Sequence, residues 1–170
     1  SISKEDQEVV NSINLPIEYI AIVLGGEWDY RTYNKWSQVI EKILVKDKQT
    51  NIVFIGSNNA KEASRKLLDR FTDDSIFNYV DKFSFNQTVQ IINNAKILLC
   101  CDGGLMHSAN AVNTPVIPLF ARLTPQMQLT DATCAFPLFD KSDVNNISVK
   151  AVLKKYNKAS NFVDNHPQGE

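Results

Sequence analysis

A run of apolar residues that ends in an acid and two glycines carries the clearest chemical signal in the chain. Residues 97–101 read Ile-Leu-Leu-Cys-Cys, the length of a buried strand, and Asp102, Gly103 and Gly104 follow directly. The glycines allow a sharp turn and a close approach of the backbone to a ligand. A helix that starts there presents free N–H groups that attract anions. His107, one helical turn further on, can donate a hydrogen bond to a phosphate oxygen.

This pattern indicates a site for a phosphate or a diphosphate. The structural alternative is a tight strand-to-helix turn, in which Asp102 caps the helix and His107 is half-buried. The residues alone leave the two interpretations evenly balanced.

A second glycine pair, Gly25 and Gly26, ends an earlier apolar run. The connection from it to the next helical pattern is long for a strand-to-helix loop, and long loops often carry function. Within the connection, Arg31 and Lys35 supply local positive charge for a phosphate. The alternative is a solvated loop, and Trp36 is better explained as the residue that anchors the next helix in the core.

Glu62 has two interpretations as well. Asn59 and Glu62 have the spacing of a helix capping box, and this explanation is favoured by the residues alone. The functional alternative is a carboxylate that accepts hydrogen bonds from ribose hydroxyls near the second strand of a nucleotide-binding sheet.

Three common motifs are missing from the sequence. The chain has no Gly-x-Gly-x-x-Gly fingerprint, no Walker lysine and no serine nucleophile elbow.

The overall composition predicts one soluble globular domain. The chain has 170 residues, a net charge of -1 and 44% hydrophobic residues, so no broad basic surface is available for nucleic acid. The three cysteines are an odd number without a disulfide framework, which favours reduced, buried thiols in a cytosolic compartment. No spacing of cysteines and histidines indicates a metal site.

The periodicity predicts strands that alternate with helices. The strands are predicted at residues 19–24, 51–55, 76–80, 97–101 and 116–120. Apolar residues recur at helical spacing between them, and Ser84 with Gln87 forms a capping-box signal. Strands of this kind form an open, doubly wound parallel sheet that is buried on both faces. Ligands bind such sheets at the carboxyl ends of the strands, so the glycine turns should converge there.

The ends of the chain are less regular. Pro118 within the last predicted strand suggests a sheet edge or a strand end, and residues 121–147 show little periodicity. A predicted helix from about Ser148 to Tyr156 closes the domain, and residues 157–170 are expected to form a polar, frayed tail.

The order of these elements resembles the C-terminal, donor-binding half of glycosyltransferase family 9, the bacterial lipopolysaccharide heptosyltransferases. The resemblance covers residues 19–156. Its strongest part is residues 94–111, where Asp102 to Ala109 is similar to the family motif Asp-(Ser/Thr)-Gly-x-x-His-x-Ala, followed by residues 114–120. The resemblance implies a Rossmann-like half of a GT-B fold and an inverting glycosyltransferase whose donor is a nucleotide diphosphate sugar, typically ADP-heptose.

The resemblance also implies roles for individual residues. Asp102, Gly103, Gly104 and His107 correspond to residues around the donor's phosphates and sugar. Glu62 corresponds to an acid that contacts the ribose, and Phe83 to a position that lines the base. Gly25, Gly26 and Lys35 correspond to the first phosphate-facing loop. Arg31, Lys35, His107 and the glycine amides would stabilise the leaving diphosphate without a metal or a separate cofactor.

The chain departs from the family pattern at three positions. Gly103 replaces a serine or threonine, Lys35 lies one residue away from the family lysine, and Ala121 stands where glycine is common. The donor nucleotide therefore stays open between ADP, GDP and UDP, and the sugar between a heptose and a hexose.

The family's catalytic base and acceptor site lie in an N-terminal half, so no catalytic residue is expected in this chain. Residues 1–16 are interpreted as an interdomain linker, residues 17–156 as the nucleotide-sugar-binding domain, and the chain as the C-terminal domain of a longer protein. That protein would act in the cytoplasm, at the inner face of the bacterial inner membrane, in lipopolysaccharide or other surface-glycan synthesis. By itself the chain is expected to bind nucleotide diphosphates weakly and to transfer nothing. The alternatives are half of a nucleotide-sugar epimerase and a non-catalytic flavodoxin-like binding module.

Overall fold

The computed structural model describes residues 2–111, 113–123 and 134–166, and within these residues it has six α-helices and six strands. The helices are α1 (Lys4–Ser12), α2 (Trp36–Lys46), α3 (Lys61–Arg70), α4 (Phe85–Asn94), α5 (Gly104–Ala111) and α6 (Val149–Asn165). The strands are β1 (Ile20–Val23), β2 (Ile52–Ile55), β3 (Ile76–Asn78), β4 (Ile97–Cys101), β5 (Val116–Ala121) and β6 (Leu138–Asp140).

All six strands form one sheet in the order β3-β2-β1-β4-β5-β6, and every pairing is parallel. The chain builds outward from β1 to β3, returns to pair β4 with β1, and then builds outward in the other direction. The strand order therefore reverses between β1 and β4, where open α/β sheets hold their ligands. The predicted doubly wound parallel sheet is confirmed.

Each face of the sheet has its own core, as the continuous apolar strands predict. Ile52 and Phe54 of β2 join the core under α2, α3 and α6, whereas Val53 and Ile55 join the core under α1, α4 and α5. This alternation is the two-residue period of a strand that is covered on both sides.

The expectation that Pro118 marks a sheet edge is wrong, because β6 covers β5 on that side. The backbone N–H of Val116 donates to the carbonyl oxygen of Cys134 on the β6 side of β5. Residues two apart in a strand direct their N–H groups to the same side, so Pro118, which has no N–H, leaves out a hydrogen bond on the β6 side. The described pairing is accordingly an isolated bridge at Val116, followed by β6 from Leu119 onward. The sheet tolerates the proline because the interruption falls beside a short outer strand.

Both ends of the chain contain more helix than predicted. The segment interpreted as a linker includes α1, whose Val10 is buried in the core beside α4. The last helix does not end near Tyr156: α6 continues to Asn165, and Ala159 is fully buried. The expected fraying is therefore wrong for residues 157–165. Residues 167–170 of the predicted tail lie outside the described residues.

Candidate functional site

A cavity of about 330 Å³ opens at the carboxyl ends of the strands where the strand order reverses. Three turns surround it: the turns after β1, β2 and β4. The lining residues are Val23, Leu24, Gly25, Gly26, Glu27, Arg31, Gly56, Ser57, Asn59, Phe85, Cys100, Cys101, Asp102, Gly103, Gly104, Leu105 and Met106. The predicted convergence of the glycine turns is confirmed.

Two of these glycines are required by the backbone. Gly25 has a φ of +79° and Gly56 a φ of +148°, a region that side chains rarely adopt. A Cβ on Gly25 would lie 3.0 Å from the Cα of Ala60, and one on Gly56 would lie 2.7 Å from the carbonyl oxygen of Leu24. The turns after β1 and β2 therefore pack directly on each other, which fixes one wall of the cavity.

Gly103 differs from these two glycines. No heavy atom lies within 4 Å of the place where its Cβ would be. Crowding therefore does not explain why glycine stands at Gly103.

An ion pair joins the two sides of the cavity. An Nη of Arg31, in the loop after β1, donates to Oδ2 of Asp102 at 2.8 Å. The side chain of Asp102 is only 5% exposed and that of Arg31 is 24% exposed. The carboxylate of Asp102 is thus held inside the cavity by a charge-assisted hydrogen bond from a neighbouring loop.

The two cysteines before Asp102 are poor nucleophiles. The pKa of Cys101 is raised to about 12, mainly because the thiol is buried. A hydrogen bond from the backbone of Tyr33 lowers this pKa, and the negative charge of Asp102 raises it. Burial also raises the pKa of Cys100. Both thiols stay protonated at neutral pH, and a thiol is far less nucleophilic than a thiolate.

The side chains that line the cavity do not form a positive pocket. Glu27, Arg31 and Asp102 are the charged lining residues among those that the structure describes. Arg31 and Asp102 offset each other, which leaves Glu27. The features that favour an anion are therefore the backbone N–H groups at the start of α5, after Gly103.

Six of the ten predicted binding residues line this cavity: Gly25, Gly26, Arg31, Asp102, Gly103 and Gly104. The other four lie elsewhere. His107 is exposed on α5, which also makes the half-buried alternative wrong. Lys35 is half-buried at the residue before α2. Phe83 packs against Tyr79 with 5.6 Å between ring centroids.

Glu62 is an exposed residue in the first turn of α3. Its carboxylate pairs with Arg65 at 3.9 Å and with Lys66 at 3.7 Å on the same helix. The capping-box interpretation is wrong, because α3 begins after Ala60 and has no side-chain cap. The side chain of Asn59 accepts a hydrogen bond from Ser57 instead.

Two structural interpretations are confirmed. Trp36 is 4% exposed and makes an edge contact with Tyr33 at 4.8 Å, as expected for the anchor of α2. Ser84 caps α4 in a complete capping box with Gln87.

Ala121 is the last residue of β5, at the position where the family pattern commonly has glycine. The structure does not require glycine at this position, because the positive φ falls one residue later, at Arg122.

Sequence reasoning missed several lining residues. Ser57 and Asn59 follow Gly56, which the sequence placed at the same edge of the sheet. Phe85, 57% exposed, lines the cavity beside Gly104. The capping box could have identified Phe85, since Ser84 makes it the first residue of α4, at the same sheet edge as the glycine turns.

Within residues 2–111, 113–123 and 134–166, no cluster of three or more histidine, cysteine, aspartate or glutamate side chains is placed to hold a metal ion. In the same residues, no helix is both long and apolar enough to cross a membrane.

Comparison with known proteins adds a family to this geometry. The sequence model of glycosyltransferase family 9 (heptosyltransferase) matches residues 2–155. A curated relative, lipooligosaccharide heptosyltransferase 2 of Haemophilus influenzae, is 35% identical over 93 residues, which are 55% of this chain and 25% of the relative.

Solved structures share the fold. E. coli ADP-heptose LPS heptosyltransferase II matches with a TM-score of 0.79 and 19% identity, over 96% of this chain and 54% of that one. UDP-GlcNAc 2-epimerase from Methanocaldococcus jannaschii matches with a TM-score of 0.67 and 16% identity, over 91% of this chain and 42% of that one. The chain thus spans about half, or less, of the length of these proteins.

Proposed function

The chain belongs to glycosyltransferase family 9, and from this premise we propose that it binds the nucleotide diphosphate sugar donor of a heptosyltransferase-like enzyme. The observation that carries the proposal is the cavity at the point where the strand order reverses. There, the start of α5 and the glycine turns after β1 and β2 lie together. The similarity of the fold to an ADP-heptose enzyme favours ADP-heptose or a similar donor.

In this proposal the backbone carries most of the diphosphate binding. The first residues of α5, which follow Gly103, line the cavity, and their N–H groups carry a partial positive charge that would hold phosphate oxygens. During transfer of the sugar, negative charge grows on the leaving diphosphate. Donors that are already oriented stabilise that charge more in the transition state than in the ground state.

In this proposal Arg31 contacts the phosphates and Asp102 contacts the sugar of the donor. The guanidinium of Arg31 has donors beyond the one that Asp102 accepts, and these can meet a phosphate oxygen without breaking the ion pair. The second oxygen of the Asp102 carboxylate can accept hydrogen bonds from hydroxyls of the donor sugar. His107, Lys35, Glu62 and Phe83 lie outside the cavity, so their proposed contacts would require a movement or a second domain.

We propose further that residues 17–165, with α1 packed on one face, form the donor-binding unit of a two-domain GT-B enzyme. The acceptor site and the catalytic base would come from an N-terminal half, joined through residues 1–16. The coverage of about half of each similar structure supports this arrangement. The complete enzyme would act in the cytoplasm, peripherally at the inner face of the bacterial inner membrane, in surface-glycan synthesis.

An epimerase-like half is the second candidate, favoured by the structural match to UDP-GlcNAc 2-epimerase. The two candidates differ in the reaction, not in the class of donor. Radiolabelled nucleotide sugars incubated with the chain and its complete parent protein separate them: a glycosyltransferase releases the nucleoside diphosphate and loads an acceptor, whereas an epimerase does neither as its normal turnover.

Titration of the ¹⁵N-labelled chain with ADP, GDP and UDP, followed by NMR, tests the binding proposal. We expect saturable shifts of the amide signals of residues 102–107 and 25–26 with at least one nucleotide. Adenosine, which lacks the diphosphate, is the matched control and should shift residues 102–107 much less. The absence of shifts at these residues with all three nucleotides would rule out the proposal.

A further inference from the structure

We propose that Asn145, in the turn between β6 and α6, is a positioning residue for the candidate site. It would act through the loop that carries Arg31. The name of the ligand rests on the proposed function, whereas the positioning itself rests on contacts within the chain. Sequence analysis gave no role to the segment around Asn145, since it lies in an irregular region far from the glycine motifs.

Both polar atoms of the Asn145 side-chain amide are hydrogen-bonded. Its Nδ2 donates to the carbonyl oxygen of Thr32 at 3.0 Å and to Oδ1 of Asp143 at 3.0 Å. Its Oδ1 accepts from the backbone N–H of Asn34 at 2.8 Å. The amide therefore holds the backbone of the loop on both sides of Tyr33.

The Tyr33 side chain adds a third attachment to the same turn. Its hydroxyl donates to the carbonyl oxygen of Ile147 at 2.9 Å. Three consecutive residues, 32 to 34, are thus tied to residues 145 and 147, more than a hundred positions later in the chain. Arg31 directly precedes these three residues and reaches Asp102 at 2.8 Å.

The turn that carries Asn145 is itself fixed to the sheet. Asp140, the last residue of β6, accepts from the backbone N–H groups of Ser142 and Asp143 and from the side chain of Asn146. Asp143 in turn accepts from the backbone N–H of Asn145 at 2.8 Å. A path of hydrogen bonds therefore leads from the edge strand, through Asn145, to the loop of Arg31.

Such support matters because an arginine side chain loses much rotamer freedom when it is held in one place. When the loop is already fixed, the backbone of Arg31 has fewer conformations to lose, so less conformational entropy is lost when Arg31 binds Asp102 and the ligand. Asn145 would thus raise the affinity for a diphosphate without touching it.

The test compares Asn145→Ala with Asn146→Ala in the 170-residue chain, using ADP as the probe in calorimetry. Asn146 is an adjacent asparagine whose side chain, among the described residues, bonds only within its own turn, to Asp140 and Ser142. We expect Asn145→Ala to raise the Kd for ADP about five- to tenfold, the effect of losing one or two net hydrogen bonds. Asn146→Ala should change this Kd less than about twofold, and the melting temperatures of both variants should be similar.

A double-mutant cycle with Arg31→Ala separates positioning from general damage. If Asn145 acts through Arg31, adding Asn145→Ala to Arg31→Ala should change the Kd for ADP less than about twofold, because interacting residues are not additive. An equal loss in both backgrounds would overturn the proposal, as would an equal effect of Asn146→Ala.

A measurement without ligand keeps the inference independent of the proposed function. We expect the Nη–H signals of Arg31 to exchange slowly with water in the ligand-free chain, and to exchange faster in Asn145→Ala but not in Asn146→Ala. If the chain binds no nucleotide while these signals respond as expected, the proposed function fails and the positioning role stands. If Arg31 exchanges equally in both variants, the positioning role fails.

Discussion

Asp102 places a carboxylate that is only 5% exposed inside a cavity proposed to receive a diphosphate. A buried, unpaired charge costs several kcal/mol, and a negative one would also repel the ligand. The hydrogen bond from Arg31 offsets both effects. Single residues in this site must therefore be interpreted in pairs, because the role of Arg31 includes neutralising Asp102 as well as meeting the ligand.

We predict that Arg31→Ala lowers both the stability of the chain and its affinity for ADP. Loss of the guanidinium leaves Asp102 buried without its cation, and we expect a destabilisation of about 1–3 kcal/mol, below the range for fully buried pairs because Arg31 is partly exposed. Urea unfolding gives the free energy of unfolding, and calorimetry gives the Kd.

The variant Asp102→Asn is the control for this charge argument. On its own it should keep or improve ADP binding, since it frees Arg31 for the phosphates. The double variant Arg31→Ala/Asp102→Asn should regain part of the stability lost in Arg31→Ala. A double variant no more stable than Arg31→Ala would contradict the idea that the orphaned carboxylate causes the loss.

The cavity glycines should differ sharply in their tolerance of alanine. Gly25→Ala places a Cβ 2.6 Å from Oδ1 of Asn59 and 3.0 Å from the Cα of Ala60, at a φ of +79°, so we expect it to cost about 2 kcal/mol or more. Gly103→Ala meets no atom within 4 Å and should change the free energy of unfolding by less than about 0.5–1 kcal/mol. Urea unfolding of both variants measures the difference, and equal losses would show that the turn after β1 can relax.

The glycine and acid positions of the site could be predicted from sequence because they depend on the backbone. Gly25, Asp102 and Gly104 follow strands, and the carboxyl ends of parallel strands meet. The direction of a side chain from a helix is harder to predict. A shift of one or two residues, as between Phe83 and Phe85 or between Met106 and His107, decides whether a side chain faces the cavity, the core or solvent.

At the level of elements, sequence analysis found the four strands whose residues are almost all buried, β1, β2, β4 and β5, and also β3, whose three residues are only partly buried. The two elements it missed have weak local signals. The helix α1 buries only Val10, so its polar sequence is typical of a linker, and its place depends on packing against α4. Strand β6 has three residues, none of them fully buried, and it forms because β5 offers an edge.

The turn between β6 and α6 should show an acid dependence. The backbone N–H of Ser142, the side chain of Asn146 and the backbone N–H of Asp143 all donate to Asp140 and lower its pKa to about 2. An aspartate in an unfolded chain has a pKa near 4. The folded state therefore gains stability from this carboxylate above about pH 4, and loses it as the pH falls from about 4 through about 2.

NMR titration of the Asp140 carboxyl carbon measures this pKa directly, and a midpoint near 4 would contradict the prediction. In urea unfolding, Asp140→Asn should flatten the part of the pH dependence between about pH 4 and pH 2.

For the whole molecule, the fold and the charge distribution point to one mode of binding. The chain carries a net charge of -1, and the ion pair between Arg31 and Asp102 leaves no excess of positive side chains in the cavity. Attraction of the proposed diphosphate ligand would then come mainly from backbone N–H groups and from the partial charge at the start of α5, whose first residues line the cavity. Short-range donors of this kind are less sensitive to screening than exposed lysines and arginines at longer distances.

We therefore predict that ADP binding to this chain is weak and depends little on salt. Raising the NaCl concentration from about 50 to 500 mM shortens the screening length to a few ångströms, yet the Kd for ADP from calorimetry should rise by less than about threefold. A protein that holds the diphosphate with several lysines would lose affinity much more steeply.

The variant Lys35→Gln distinguishes the two cases. A steep loss of affinity with salt in the wild-type chain, absent in Lys35→Gln, would show that the loop before α2 moves towards the ligand and brings Lys35 into contact with it. A shallow dependence that Lys35→Gln leaves unchanged would assign the affinity to the backbone at the start of α5 and to the glycine turns.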